Sequence, residues 1–67
     1  MVTLVFKRKL MREHRLAREM TQQDLAEKLD TWREAVCQIE RGHRLPTLRQ
    51  VYIMAKLFGL TMDELVE

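Results

Sequence analysis

An all-α domain, a compact bundle of five helices, is the fold class this sequence predicts, and three observations lead to it. Only two glycines and one proline occur in 67 residues, and the dominant residues (Leu, Glu, Arg, Lys, Ala, Met, Gln) are strong helix formers. The composition, 46% hydrophobic and 33% charged, is too apolar for a disordered chain and too evenly charged for a membrane protein. Stretches of helical period are separated by recognisable starts and stops. At this length one domain, residues 1–67, is expected, with no room for an elaborate active site.

Taken in order, the first helix is predicted over residues 6–19, with Phe6, Leu10, Met11 and Ala17 inward and most cations outward. Ahead of it, Val2, Leu4 and Phe6 alternate with Thr3 and Val5, a pattern open to a short strand, an early helical turn or an ordered arm over residues 1–5. Thr21 caps a second helix over 22–29, in which Leu25, Ala26 and Leu29 share a face. A tight break follows at Asp30-Thr31. Thr31-Trp32-Arg33-Glu34 has the form of a capping box opening a third helix, with Val36 and Ile39 inward and Gly42 at its end.

His43-Arg44-Leu45-Pro46 is a loop, because Pro46 disfavours helix in the residue before it. Thr47 caps the fourth helix, which carries Leu48, Val51, Met54, Ala55 and Phe58 toward the core and ends at Gly59. Thr61-Met62-Asp63-Glu64 repeats the capping-box pattern before a short final helix that folds Met62 and Leu65 inward.

Several functional classes are disfavoured. The opening MVTLVFKRK holds too short an apolar run for a signal sequence, with its cations on the wrong side, so neither export nor a membrane span is expected. Cys37 has no cysteine with which to form a disulfide, which suits a reducing, cytoplasmic setting. With His14 and His43 it lacks the paired spacing of a zinc site, and a thiol on a short helix of so small a domain makes a poor nucleophile site; no catalytic residue, metal or cofactor is expected. The net charge is only +2, but residues 1–20 carry six cations against two acids, whereas the last eleven residues carry only Asp63, Glu64 and Glu67. The basic half suits a polyanion, although Lys7, Arg8 and Lys9 alone are too short a run for a nucleic-acid tail.

Two short helices joined by a tight turn, the second polar on its outer side, make a helix-turn-helix over about residues 21–42. Ala26 sits where the helices cross closely, and Leu25, Leu29, Val36 and Ile39 fill the seam. Through TQQDLAEKLDTWREAVCQIERG at 21–42, LPTLRQVYIMAKLFGLTMDELV downstream and the RxxRLAREM segment upstream, the chain resembles the Cro/cI-type (XRE) helix-turn-helix regulators over about residues 12–66. The resemblance implies a lambda-repressor-like domain whose second helix enters the DNA major groove while the first crosses the backbone. It implies base-facing roles for Trp32, Arg33, Glu34 and Gln38, a phosphate contact for Gln22 and backbone contacts for His43 and Arg44; it also implies an ion pair between Arg15 and Glu40. Asp30 stands where the family usually has Gly, and Trp32 where it usually has a small polar cap.

The chemistry of the side chains agrees with these roles. Gln22 opens a helix whose free amides favour phosphate. Arg33 can bond guanine bidentately, Gln38 adenine, and Glu34 can accept from cytosine. Glu34 has the alternative of closing a capping box with Thr31, and Trp32 of folding inward where an apolar residue is expected at Thr31. The functional expectation is a sequence-specific, DNA-binding transcriptional regulator, most simply a repressor, bound as a homodimer to a pseudo-palindromic operator. The alternative is an antitoxin-like or adaptor module that chiefly binds a partner protein. Tyr52, Ile53 and Leu57 lie off the inward face of the fourth helix and are expected to be exposed as the dimer or partner surface.

Overall fold

The computed structural model describes residues 5–67; Val2 and Leu4 of the alternating run, and with them most of the arm expected at 1–5, lie outside the described residues. Five helices follow one another: α1 Arg8–Ala17, α2 Gln22–Lys28, α3 Arg33–Arg41, α4 Leu48–Phe58 and α5 Met62–Leu65. α1 starts two residues later than expected because Phe6 is extended. It forms an antiparallel bridge with Val66, flanked by Lys7 N–H donating to the Leu65 carbonyl at 2.8 Å and Glu67 N–H to the Val5 carbonyl at 2.9 Å. Those bonds tie the start of α1 to the end of α5 and leave the Phe6 ring buried.

One device ends four of the helices. A residue one or two positions past the helix takes a left-handed conformation, at Glu19 (φ 55°), Asp30 (φ 57°), Gly42 (φ 82°) and Gly59 (φ 70°). The next N–H then reaches back to a carbonyl five residues earlier: Met20 to Arg15 at 3.1 Å, Thr31 to Ala26 at 2.9 Å, His43 to Gln38 at 2.9 Å and Leu60 to Ala55 at 2.8 Å. This is the Schellman arrangement, which satisfies carbonyls that a helix end otherwise leaves unpaired. Asp30 thus takes the place of glycine in the turn between α2 and α3.

Three helices open with reciprocal capping boxes, Thr21 with Asp24, Thr47 with Gln50 and Thr61 with Glu64. The box expected at Thr31 and Glu34 does not form. Thr31 is still part of the turn closing α2, so Trp32 becomes the N-cap, without a side-chain capping bond. Ala35 then occupies the third helical position that a reciprocal acid would need, and Glu34 points out into solvent.

The core is built from Phe6, Met11, Leu25, Ala26, Leu29, Val36, Ile39, Val51, Met54, Ala55, Phe58 and Leu65. α3 packs on α2 and α1, α4 packs on α5 and α1, and α1 also touches α5. Two expected core positions prove exposed. Ala17 lies about 200° around α1 from Arg15, which takes the buried position instead. Leu48, in the first turn of α4, is 77% exposed.

Candidate nucleic-acid interface

α3 offers its outward side as a continuous polar strip. At about 100° per residue, Arg33, Glu34, Cys37, Gln38 and Arg41 fall within one 140° arc, and Ala35, Val36 and Ile39 fall on the opposite, buried side. Arg33, Glu34 and Arg41 are exposed, Gln38 is half-buried and the small Cys37 is buried between its taller neighbours. Trp32, at the N-cap, is 64% exposed and is not folded inward as an apolar substitute for Thr31. Past the end of α3, His43 and Arg44 are exposed in the loop.

A buried polar network holds this strip against the rest of the molecule. Arg15 of α1 donates from Nε to Oε2 of Glu40 at 2.7 Å and from Nη2 to Oε1 at 3.1 Å, a two-pronged ion pair with both side chains under 10% exposed. Its Nη1 donates to the Met20 carbonyl at 2.8 Å, in the turn before α2. Gln22, the first residue of α2, donates its amide to Glu40 Oε1 at 3.2 Å. Glu40 therefore joins α1, α2 and α3 through one carboxylate, and such charge-assisted two-pronged bonds fix direction as well as distance. Arg8 adds an exposed clamp, donating Nη1 to the Glu40 carbonyl at 2.8 Å.

At the start of α2, Asp24 accepts the backbone N–H of Thr21, and together with the Thr21 hydroxyl this holds its carboxyl below the usual carboxylate range. Gln22 stands beside that cap at the helix N-terminus, half-buried.

The sequence-expected sites thus fall into three groups. Arg33, Glu34 and Gln38 lie on the outward side of α3, Trp32 is exposed at its N-cap, His43 and Arg44 are exposed in the loop after it, half-buried Gln22 opens α2, and Arg15 meets Glu40. Tyr52, Ile53 and Leu57 do not form a common exposed surface. Tyr52 is 50% exposed and lies under the Lys56 ammonium at 5.3 Å, whereas Ile53 and Leu57 are half-buried against the core. Leu48, also exposed, sits four residues before Tyr52 on the same helix stripe, and Leu45, 69% exposed, lies in the loop before that helix. Leu45 and Leu48 border an apolar groove of about 520 Å³ floored by Phe6, Val51 and Val66.

Sequence reasoning also missed Arg41, which continues the stripe of Arg33 at four-residue spacing twice over, and the cluster at the end of α4. There His14 stacks on Phe58 with centroids 5.4 Å apart, and Arg18 lies 5.1 Å over the same ring while capping the Phe58 carbonyl at 3.0 Å. His14 is thus a packing residue against the end of α4. Among the described residues, no group of three His, Cys, Asp or Glu side chains could hold a metal, and no helix is long and apolar enough to cross a membrane.

A short helix packed across a second one, whose outward side and N-terminus stay free and polar, defines the helix-turn-helix class of proteins. Residues 11–65 match the helix-turn-helix family, and the chain belongs to that family, in its Cro/cI (XRE) type. It is 36% identical over 55 residues to an uncharacterized HTH-type transcriptional regulator of Methanocaldococcus jannaschii, covering 82% of this chain and 83% of the relative. A second such regulator, from Archaeoglobus fulgidus, is also 36% identical over 55 residues, 82% of this chain and 79% of its own length. The P22 c2 repressor, solved with a synthetic operator, shares the fold with a TM-score of 0.81 at 20% identity, over 91% of this chain and 92% of its own. The restriction-modification controller protein C.AhdI of Aeromonas hydrophila superposes with a TM-score of 0.75 at 29% identity, over 87% and 88% of the two chains.

Proposed function

We propose that this DNA-binding transcriptional regulator is a cytoplasmic repressor that reads a pseudo-palindromic operator as a homodimer. The outward strip of α3 is the observation that carries the reading. Arg33, Glu34 and Gln38 are charged or amide side chains of the kinds that pair with guanine, cytosine and adenine in the major groove, each good pair contributing about 1–3 kcal/mol of discrimination. Glu34 is free for that role because it caps nothing. His43, Arg44 and the second amide hydrogen of Gln22 face the flanking phosphates, and Gln22 adds to the positive end of α2.

Dimerisation places two copies of α3 about 34–36 Å apart, one turn of B-DNA. The exposed apolar side chains of Leu45, Leu48 and Tyr52 support the pairing. The same side chains support a second reading, an antitoxin-like or adaptor module that binds a partner protein there. Selection from a random duplex pool at physiological salt, with the mass of the complex recorded, separates the two. An enriched palindrome carrying two chains, with affinity falling as salt rises, is the expected result. A folded protein that enriches no sequence refutes the operator reading and turns attention to Leu45 and Leu48.

A further inference from the structure

Trp32 is the only tryptophan in the chain, and folding does not account for it. It occupies the N-cap of α3 with extended backbone (φ −109°, ψ 160°), a position that favours Ser, Thr, Asp or Asn because their side chains bond the free amides of the first turn. An indole cannot accept such a bond, and none is made. Nor does the ring serve the core, since it is 64% exposed beside Arg33 and Glu34. A large apolar surface is therefore held in water at the end of α3 that, in this class of protein, meets base edges.

We propose that Trp32 is a specificity-determining residue whose indole covers the C5 methyl group of a thymine in the major groove. The assignment rests on the chain binding DNA through α3. Arg33, Glu34 and Gln38 can match the donors and acceptors of the other base edges, and the thymine methyl is the one apolar feature the major groove displays. A neutral indole gains nothing from the phosphate charge that would draw a cation away to the backbone. It buries a wide apolar area at little loss of conformational freedom, having only two side-chain torsions. The N-cap also precedes the first helical turn, so the exposed indole stands at the N-terminal end of α3, next in sequence to Arg33 and Glu34.

The test uses a duplex that the protein selects from a random pool, in which each thymine in turn is replaced by deoxyuridine, removing only the methyl. One position in each half-site is expected to weaken the wild-type protein about fourfold, the equivalent of one methyl returned to water. Trp32→Ala should bind the thymine and uracil duplexes equally. Trp32→Ser, which supplies a capping hydroxyl and so protects the fold, should do the same. If wild type ignores every thymine-to-uracil change, or if both variants keep its sensitivity, the assignment is overturned while DNA binding stands, as salt-dependent affinity for the unmodified duplex then shows. Uniform weakening of both variants on all duplexes, a sugar or backbone contact, overturns it as well. A folded wild-type protein that binds no duplex removes both this assignment and the proposed function.

Discussion

Replacing Arg15 by Met should come close to unfolding the protein, and replacing Glu40 as well should rescue it. The two side chains are 8% and 6% exposed and joined by bonds of 2.7 and 3.1 Å, so either charge left alone stays buried with little compensation. Glu40 would keep only the Gln22 amide at 3.2 Å; Arg15 would keep only the Met20 carbonyl. Breaking one side of such a pair costs about 3–5 kcal/mol, whereas replacing both by apolar groups of similar volume is often neutral. A domain of 67 residues has roughly 3–10 kcal/mol of stability in total. Arg15→Met and Glu40→Leu should each lower Tm by upwards of about 12 °C, at 4 °C or more per kcal/mol. The double variant should recover most of that loss. Urea unfolding followed by far-ultraviolet circular dichroism gives the coupling energy, expected above about 2 kcal/mol. Additive losses in the two single variants would refute the reasoning, since they would mean that neither charge depends on the other.

Other outcomes follow from single positions. Asp30→Gly and Glu19→Gly should each raise stability by about 1 kcal/mol, because both residues hold φ near +55° where a Cβ is strained; unchanged or lower urea midpoints would count against the strain. Leu48→Glu with Tyr52→Glu should leave the helix content intact and turn a dimer into a monomer by sedimentation, whereas Ile53→Asp should unfold the chain, since Ile53 packs on the core. Asp24 has a lowered folded pKa, so its capping contribution is fully present above the unfolded value of 3.8 and is lost as pH falls through the folded one. Wild type should therefore exceed Asp24→Asn in stability at about pH 6, and the gap should narrow as pH falls below 3.8.

The helices were legible in the sequence because their ends are chemical and local. A Thr three residues before Asp24, Gln50 or Glu64 contains both halves of a capping box, and nothing distant is needed to form it. The same pattern at Thr31 failed for a reason that only the preceding helix supplies: Thr31 N–H is taken by Ala26, and the helix start moves one residue on. Hydrophobic periodicity placed Ala17 inside because it treats charge as outward, yet Arg15 is buried by virtue of Glu40, twenty-five residues away. Ile53 and Leu57 were misjudged for a related reason. Periodicity describes one face of α4, and whether its flanks are covered depends on the elements packed around it. Outward residues such as Trp32 and Arg41 answer to no folding constraint, so the sequence alone says little about where they point.

The network under α3 has a consequence for how binding is transmitted. A side-chain amide carries two hydrogens, and in Gln22 one is held by Glu40 Oε1. In the proposed complex the other meets phosphate, from a side chain already fixed in direction. The carboxylate that sets the position of α3 against α1 thus also orients the Gln22 side chain on α2. Glu40 is almost fully buried and cannot itself reach DNA. Its replacement by Gln, which keeps an oxygen to accept from Gln22, should therefore disturb phosphate contact less than replacement by Leu, even where the two variants are equally folded. A difference between them in affinity, uniform across operator sequences, would trace to Gln22, because a base contact would instead change the sequence preference.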